Sequence, residues 1–441
     1  MLYYIQQFLM SLGLSPGRGG FILHAIEKIL AKASNNSSVE TGQIVNVKVD
    51  FAEINDLYLQ TIISFEEMGG KRVWDKDKLA FVFDHYAPSP TIQASANHKA
   101  MREFAKTQEL TRHFDIDAGV CHQVMVEAGV VLPGRVIVAT DSHTTTHGAL
   151  GAFGTGVGAT DMAVIMITGE MWMRVPEIIN IKIDGQASKG VLPKDVVLYA
   201  LGLIKADGAV YKAVEFSGSY VEHLGVSGRM VLCNMAVEMG AKAAYIQPND
   251  DVIAYANEHM AYPYEVQYTD EGFVYDAEYY YDISALSPQV AAPHSVDNVK
   301  PIEDVCGIPL DQGFIGSCTG GRTEDFAVAA EILKGHKIPR YSRLVIIPAS
   351  AEVMRECIDK GYIQTLMDAG ATISSPGCGP CLGAHEGIIA AGERCISSTN
   401  RNFPGRMGST GGEIYLASPA TVAASMLTGK ITDPRTINLE V

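Results

Sequence analysis

The sequence predicts an α/β protein built from parallel sheets. Short segments rich in β-branched residues alternate with segments of helical periodicity along the 441 residues, and this alternation is typical of repeated β-α units. Several predicted strands end in residues capable of chemistry, at the end of the strand where open α/β sheets bind their ligands. The hydrophobic content of 47% can bury sizeable cores, so we expect more than one domain.

The predicted strands are short, and predicted helices separate them. The strands are IVNVKVDF (44–51), KLAFVFDH (78–85), RVIVATDSH (135–143), IINIKID (178–184) and RLVIIPAS (343–350). The helices include KAMREFAKTQEL (99–110), EDFAVAAEILKG (324–335) and AEVMRECIDKG (351–361). Two stretches with proline and little periodicity, 174–177 and 287–301, indicate joints between domains. They divide the chain into three predicted α/β domains at 1–174, 175–292 and 293–441.

The composition disfavours several classes of protein. The chain has 50 Asp and Glu against 34 Lys and Arg, and the net charge of -16 disfavours nucleic acid as a partner. The apolar stretches are too short or too charged to span a membrane, so no membrane association is expected. Segment 1–20 lacks the features of a signal peptide, and we interpret it as an extension or an extra helix. The 8 cysteines do not suggest a disulfide scaffold, which favours reduced thiols in the cytoplasm.

The strongest local pattern is a set of cysteines in glycine-rich loops. Cys318 lies in GSCTGGR, and Cys378 and Cys381 lie in PGCGPCLG. Three thiolates of this kind can hold three irons of a [4Fe–4S] cluster and leave the fourth iron open. A redox dithiol at the CGPC motif, or a zinc site completed by His385, fits the same spacing. The cysteines alone leave all three interpretations open.

Three segments with histidine lie in the first third of the chain. They are DHYAPSP (84–90), GVCHQV (119–124) and TDSHTTTHGALGAFGTGVGATD (140–161). A carboxylate beside an imidazole, as in Asp84 and His85, favours the charged imidazole and offers an oriented acid or base. A single histidine of this kind is commonly a capping or core residue. Three such clusters at predicted strand ends instead favour a catalytic site.

A loop near the C-terminus carries two arginines. The segment SSTNRNFPGRMG (397–408) contains Asn400, Arg401 and Arg406 and has few acidic neighbours. Guanidinium groups in such a loop are suited to paired hydrogen bonds with substrate carboxylates. A solvated surface loop is the alternative on this segment alone.

Taken together and in this order, these segments closely resemble the aconitase superfamily. The resemblance is to the large subunits of the isopropylmalate isomerase, homoaconitase and dimethylmalate dehydratase branches, and it extends from about Ala25 to the end. It rests on the joint occurrence of DH, GxCHQ, TDSHT, GSCT, CGPC and NRNFxGR. It implies three α/β/α domains around a central [4Fe–4S] cluster.

The resemblance also implies a role for each matching residue. Cys318, Cys378 and Cys381 correspond to the cluster ligands, and Asp84 with His85 to the pair that protonates the leaving hydroxyl. The other matched residues are catalytic (His122, Asp141, His143 and Glu215, the last in AVEFSG at 213–218) or substrate-binding (Ser142, Asn400, Arg401 and Arg406).

The implied reaction is the removal and return of water on a small hydroxy-di- or tricarboxylic acid. The open iron acts as a Lewis acid on the hydroxyl group, and a base removes a proton from the neighbouring carbon. No segment matches the swivelling fourth domain that carries this base in single-chain relatives. The base is therefore expected on a small swivel-domain subunit, and the chain alone is expected to be inactive.

The chain departs from the family pattern at two places. Gly320 in GSCTGGR stands where many relatives have asparagine, which leaves the hydrogen bonding around the cluster open. INDLYLQT (54–61) replaces a segment that is usually small and rich in threonine, so that wall of the pocket is also open.

The sequence is compatible with more than one function. The expected substrate is 3-isopropylmalate or 2-isopropylmalate, as in relatives of leucine biosynthesis, because split chains are typical of amino-acid biosynthesis. Homoaconitase and dimethylmalate or citramalate dehydratase large subunits are the alternatives. A cluster-sensing regulator that binds RNA is disfavoured by the charge of -16. A thiol oxidoreductase would leave the histidine and arginine segments unexplained.

Overall fold

The computed structural model describes residues 22–437, so the predicted extension at 1–20 lies outside the described residues. The first part of the chain contains α1 (Ala25–Ala33), β1 (Ile44–Lys48), β2 (Phe51–Asn55), α2 (Leu59–Glu67), β3 (Leu79–Val82), α3 (Ile92–Gln108), β4 (Arg112–Phe114), α4 (Cys121–Glu127), β5 (Val136–Ala139), a 3₁₀ helix (Ser142–Leu150), β6 (Phe153–Gly156), α5 (Ala159–Thr168) and β7 (Glu170–Arg174). The predicted helix 99–110 is the second half of α3. The helix begins earlier because the side chain of Thr91 accepts a hydrogen bond from the Ala94 amide at 3.1 Å.

The first sheet is parallel and has the order β4-β3-β2-β5-β6. The predicted strand 44–51 proves to be two elements. Residues 44–48 pair antiparallel with β7 in a separate two-stranded sheet, whereas Phe51 begins the central strand of the first sheet. The strands predicted at 78–85 and 135–143 are confirmed as β3 and β5, with their last residues forming the loops that follow.

The second sheet is also parallel and has the order β10-β9-β8-β11. Its part of the chain contains β8 (Ile178–Asp184), α6 (Pro193–Ile204), β9 (Ala213–Ser217), α7 (Ser219–Glu222), α8 (Val226–Met235), a 3₁₀ helix (Ala236–Met239), β10 (Ala243–Tyr245), α9 (Asp250–His259) and β11 (Ala277–Asp282). Strand β8 confirms the prediction at 178–184. Its burial on both faces follows from helices that cover both sides of a parallel sheet.

The third sheet has the order β13-β12-β18-β17-β14-β15-β16. Its part of the chain contains β12 (Gln289–Ala291), β13 (Val299–Pro301), β14 (Gln312–Gly316), α10 (Ser317–Gly320), α11 (Thr323–Leu333), β15 (Arg343–Ile347), α12 (Ala351–Asp359), α13 (Tyr362–Ala369), β16 (Thr372–Ile373), a 3₁₀ helix (Gly379–Leu382), β17 (Arg394–Ser397), β18 (Glu413–Leu416) and α14 (Pro419–Thr428). Strands β14 to β18 are parallel, while β12 and β13 add an antiparallel edge. The predictions at 324–335, 343–350 and 351–361 are confirmed as α11, β15 and α12.

The parallel strands of the three sheets follow one winding scheme. In each sheet the chain begins at a central strand, adds strands toward one edge, and then returns to the other side of that central strand. The loops at the carboxyl ends separate where the order reverses, which opens a crevice suited to a ligand. In the first sheet this point lies between β2 and β5, and in the third between β14 and β17. Asp141 follows β5 at the first crevice, and Cys318 and Asn400 follow β14 and β17 at the second.

The sheets are packed on one another through a continuous apolar core. One buried cluster contains Phe51 of β2, Ile181 of β8 and Phe314 of β14, a residue from each large sheet. Strand β12 (Gln289–Ala291) belongs to the third sheet although it lies before the predicted boundary at 292. The division of the chain into three domains stays a prediction. Within residues 22–437, no helix combines the length and the apolar character needed to cross a membrane.

Candidate active site

Asp84 and His85 form a buried acid pair just after β3. The Nδ1 atom of His85 donates to Oδ1 of Asp84 at 2.6 Å, and its Nε2 atom lies 3.5 Å from Oδ2 of Asp141. Burial opposes charge on His85, but the carboxylates of Asp84 and Asp141 raise its pKa well above the usual value. The raised pKa favours the imidazolium form of His85, with one ring nitrogen toward each carboxylate. This arrangement suits a general acid.

Asp56 fixes the loop that carries this pair. The carboxylate of Asp56 accepts hydrogen bonds from the amides of His85 and Tyr86 at 2.9 and 2.8 Å and from Nε2 of His98 at 2.9 Å. Asp56, Asp84 and His85 also bring three possible metal-ligand atoms within 4.8 Å of one another. Their hydrogen bonds to one another and to main-chain amides account for this proximity. Asp56 follows directly on β2, and the sequence argument did not single it out.

Asp141 lies at the crevice of the first sheet and joins three histidines. It accepts hydrogen bonds from Nε2 of His122 at 3.0 Å and from the main-chain amide of His143 at 2.7 Å, in addition to its contact with His85. Burial opposes charge on this carboxylate, but the histidine bonds lower the pKa of Asp141 well below its usual range. The structure thus brings together Asp84, His85, His122, Asp141 and His143.

Glu238 connects this histidine group to the arginine loop. Its Oε1 atom accepts from Nε2 of His143 at 2.9 Å and from Nε of Arg401 at 2.7 Å, and Nη2 of Arg401 donates to the Ser142 hydroxyl at 2.9 Å. Burial opposes charge on Glu238, but His143 and Arg401 lower its pKa. Glu238 was not among the site residues predicted from the sequence. The available signal was its spacing of four residues from Asn234, which places both polar groups on one helical face.

Glu215 lies apart from this group. It sits in the middle of β9, and its carboxylate accepts from Nε2 of His24 at 2.7 Å and from the Tyr275 hydroxyl at 2.6 Å. Among the described residues these are its hydrogen-bond partners, and neither belongs to the candidate site. The structure places Glu238, and not Glu215, beside His143 and Arg401.

The three cysteines of the glycine-rich loops are buried and free. Cys318 follows β14 in α10, and Cys378 and Cys381 flank the start of the 3₁₀ helix Gly379–Leu382. The pKa of Cys378 is raised and that of Cys381 is lowered because the two side chains share a hydrogen bond. Arg406 also lies beside this pair, with Nη2 3.6 Å from the sulfur of Cys381.

Two asparagines donate amide hydrogens toward the sulfur of Cys318. Asn234 and Asn400 place their Nδ2 atoms 3.1 and 3.4 Å from the sulfur of Cys318. Oδ1 of Asn400 lies 3.6 Å from the sulfur of Cys381, so this side chain joins the two cysteine loops. Amide donors around sulfur are suited to stabilise thiolates bound to a metal centre.

The spacing of the sulfurs distinguishes between the possible metal centres. Ligands of one tetrahedral zinc ion lie about 3.8 Å apart when the zinc–sulfur bonds are about 2.3 Å. Within residues 22–437, Asp56, Asp84 and His85 are the only set of three possible ligand atoms that all lie within 4.8 Å of one another. At least one pair among the sulfurs of Cys318, Cys378 and Cys381 therefore lies more than 4.8 Å apart, wider than one zinc ion requires. His385 points elsewhere, because its Nε2 atom donates to the carbonyl of His85 at 2.8 Å. The donor set fits a larger polynuclear group.

The acid pair and the cysteine loop are joined through the main chain. The amide of Cys378 donates to the carbonyl of Asp84 at 2.8 Å, and His385 bonds the carbonyl of His85 at the same distance. The side chain of Asp84 further accepts from the amide of Cys121 at 2.8 Å. The acid therefore has a fixed position relative to the cysteines.

The two departures noted in the sequence also lie at this site. A Cβ atom on Gly320 would lie 2.3 Å from the hydroxyl of Ser398, so this position accepts only glycine unless Ser398 moves. Segment 54–61 forms the end of β2 and the start of α2. Burial, together with the negative charge of Asp141, raises the pKa of the Tyr58 phenol, which indicates that this segment faces the carboxylate group.

Comparison with known proteins identifies relatives over almost the whole chain. The model of the aconitase family (aconitate hydratase) matches residues 27–307 and 303–429. A 3-isopropylmalate dehydratase large subunit 1 from Methanopyrus kandleri is 50% identical over 410 residues, covering 93% of this chain and 98% of the relative.

Two further relatives are similar to nearly the same extent. A probable 3-isopropylmalate dehydratase large subunit from Methanothermobacter thermautotrophicus is 47% identical, covering 92% of this chain and 98% of the relative. A probable methanogen homoaconitase large subunit from Methanosarcina mazei is 48% identical, covering 88% and 99%.

Proposed function

The chain belongs to the aconitase family, and on this premise we propose that it is the large subunit of a two-subunit hydro-lyase that isomerises a hydroxy-dicarboxylic acid. The proposed substrate pair is 2-isopropylmalate and 3-isopropylmalate, of which 3-isopropylmalate appears in the names of two of the relatives above. The observation that carries the proposal is the buried His85, held between Asp84 and Asp141 and tied through the main chain to the cysteine loop.

We further propose that Cys318, Cys378 and Cys381 hold a [4Fe–4S] cluster at the centre of three α/β/α domains. The wide sulfur spacing and the amide donors of Asn234 and Asn400 support this ligand set. When bound, the cluster supplies a Lewis acid for the substrate hydroxyl and a carboxylate, without a change of redox state. The three large sheets, in which parallel strands alternate along the chain with helices, support the domain arrangement.

The residues of this chain then have defined tasks. His85 gives the proton on Nε2 to the departing hydroxyl, and Asp84 orients the ring through its bond to Nδ1. Asp141 stabilises the imidazolium before the transfer and orients His122. Arg406 has an Nε atom without a partner among the described residues, and its guanidinium is placed to bind a substrate carboxylate.

A small subunit is proposed to complete the site. Relatives named as large subunits support this partner. The proposed small subunit carries a swivel domain with the base that removes the carbon-bound proton. Removing a catalytic base typically costs about 100- to 10,000-fold in rate, so the chain alone should turn over far more slowly than the pair.

The test is anaerobic purification and loading with iron and sulfide. We expect about four irons and four sulfides per chain and a broad visible absorbance. Cys318→Ala, Cys378→Ala and Cys381→Ala should each lose this absorbance, while Cys306→Ala, which changes an exposed cysteine, should keep it. A full cluster in Cys318→Ala would contradict the ligand set.

Substrate choice is tested on the chain mixed with its small subunit. The panel consists of isopropylmalate, dimethylmalate, citramalate, homocitrate and citrate. The homoaconitase relative at 48% identity makes homocitrate the chief alternative. A small apolar pocket discriminates by only about 1–3 kcal/mol per methylene, so overlapping activity on alkylmalates is expected. A specificity constant at least about tenfold higher for homocitrate or citrate would transfer the assignment to the homoaconitase or aconitase branch.

A further inference from the structure

Lys194, in the first turn of α6, is a buried cation that has only neutral hydrogen-bond acceptors. Its side chain is 2% exposed. The ammonium donates to the carbonyls of Thr399 and Ser398 at 2.6 and 3.3 Å, and it lies 3.4 Å from the sulfur of Met235. A buried charge is unfavourable unless an opposite charge lies nearby. The balancing anion must therefore be found beyond these contacts.

The neighbouring carboxylates are already engaged. Asp195 accepts from the amides of Leu192 and Gln289 at 2.8 and 2.9 Å. Asp325 accepts from the amide of Arg322 at 2.9 Å. Glu238 is shared by His143 and Arg401. These hydrogen bonds hold the carboxylates of Asp195, Asp325 and Glu238 on partners other than Lys194.

Besides these carboxylates, the sulfurs of the cysteine loops can carry negative charge near Lys194 when they hold a metal group. Burial lowers the pKa of Lys194 to about 8, and Cys318 and Cys381 are the strongest influences that favour its charged form. Both sulfurs lie beside Asn400, whose amide group contacts each of them. The carbonyls that bind Lys194 belong to the two residues immediately before Asn400. Lys194, in a helix beside the second sheet, thus contacts the loop whose Asn400 joins the two cysteine segments of the third sheet.

We propose that Lys194 is a positioning residue that balances the negative charge of the cysteine-bound group and fixes the loop carrying Asn400. This inference rests on the proposed function, because the charge to be balanced is that of the three thiolates and the cluster they hold. Loss of the positive charge should make the loaded cluster harder to reduce and easier to lose, since nearby charge tunes both properties.

The test compares Lys194→Met, Lys194→Arg and the wild-type chain, each loaded anaerobically. Lys194→Met should lower the reduction potential of the cluster and speed iron loss to a chelator about tenfold. Lys194→Arg keeps the charge and should restore both values toward the wild type. Lys242→Met is the matched control, because Lys242 is half-buried and also donates to a carbonyl, that of Gly156 at 3.3 Å.

Thermal unfolding of the iron-free proteins adds a readout that needs no cluster. Without iron the charged cysteine-bound group is absent, so the buried ammonium loses its balancing charge. Iron-free Lys194→Met should then melt at a higher temperature than the iron-free wild type, while the loaded variant melts at a lower temperature than the loaded wild type. A side chain that acts only through packing would change both melting temperatures in the same direction.

The outcomes separate the two proposals. A wild-type chain that takes up no iron contradicts the proposed function. A loaded wild type and a loaded Lys194→Met with equal potentials and equal rates of iron loss contradict the role of Lys194 alone. If Lys194→Met fails to fold, Lys194→Gln decides, because it keeps a donor and loses the charge. Wild-type potential and iron retention in Lys194→Gln would overturn the inference.

Discussion

The carboxylate of Glu238 and the guanidinium of Arg401 are joined by a hydrogen bond of 2.7 Å, although 163 positions separate them in the chain. The same oxygen of Glu238 accepts from His143 at 2.9 Å. Glu238, from the part of the chain that forms the second sheet, therefore sets the positions of two other side chains. Arg401 comes from the part that forms the third sheet, and His143 from the part that forms the first. The site depends on the packing of all three sheets.

Glu238→Gln should lower the specificity constant of the assembled enzyme by roughly 10- to 100-fold, the usual effect of removing a supporting partner. The amide oxygen of glutamine can still accept both hydrogen bonds, but it carries no negative charge, so the bonds to His143 and Arg401 weaken. The pKa of His143, which Asp141 and Glu238 raise against burial, should therefore fall. Steady-state kinetics measure the effect. Glu215→Gln is the matched comparison, and a larger loss in that variant would contradict the placement of Glu215 outside the site.

Asp84→Asn should move the alkaline limb of the pH profile to lower pH by about one to three units, because an opposite charge at this distance shifts a pKa by that amount. His85 must be protonated to act as the acid. Its pKa is raised well above the usual value, so the wild-type chain should keep activity as pH rises until it passes that raised pKa. The measurement is the specificity constant against pH.

The control for this experiment is Asp115→Asn. Asp115 pairs with Arg102 at 2.6 Å away from the site, so its removal should leave the alkaline limb in place. If Asp84→Asn leaves the alkaline limb of the pH profile unchanged, a group other than His85 is the acid.

Arg406→Lys should raise the Michaelis constant about tenfold to hundredfold with a smaller change in the catalytic rate constant, because lysine cannot form two parallel bonds to a carboxylate. His85→Ala should show the opposite pattern. The control is Arg394→Lys, since Arg394 pairs with Glu413 on β18. The assigned roles fail if both site variants lose affinity alone.

Gly320→Ala should destabilise the protein by about 1–3 kcal/mol, the usual cost of overpacking, because the added Cβ would lie 2.3 Å from the hydroxyl of Ser398. Urea unfolding measures the change. Adding Ser398→Gly should recover part of the loss, and Gly225→Ala, where nothing lies within 4 Å of the new Cβ, should have little effect. Equal stability of Gly320→Ala and the wild type would disprove the close contact.

The sequence predicted those parts of the site that lie next to strand ends. Asp84, His85 and Asp141 lie at the ends of predicted strands, so the periodicity of the strands located them, whereas Cys318 was located by its glycine-rich loop. Segment 44–51 was less informative, because one apolar run supplies strands to two different sheets.

The residues that the sequence argument missed or misplaced have a common physical cause. Asn234 at the end of α8 and Glu238 in the 3₁₀ helix that follows lie among methionine, valine and leucine. Their side-chain partners are 84 to 166 positions away. Glu215 lies in a buried strand, where the sequence does not show which face a side chain occupies. These roles follow only from how the sheets pack on one another, which local pattern does not encode.

Two hydrogen bonds between distant loops limit how this protein can be redesigned. The carbonyls of Asp84 and His85 accept them from the Cys378 amide and the His385 side chain. A chimera that takes residues before about Ala87 from one relative and the cysteine loop from another must match the two loops at backbone precision. Family shuffling with a crossover anywhere between these segments should therefore yield many folded and metal-loaded proteins that work slowly. Libraries that exchange the two segments together should retain far more active members.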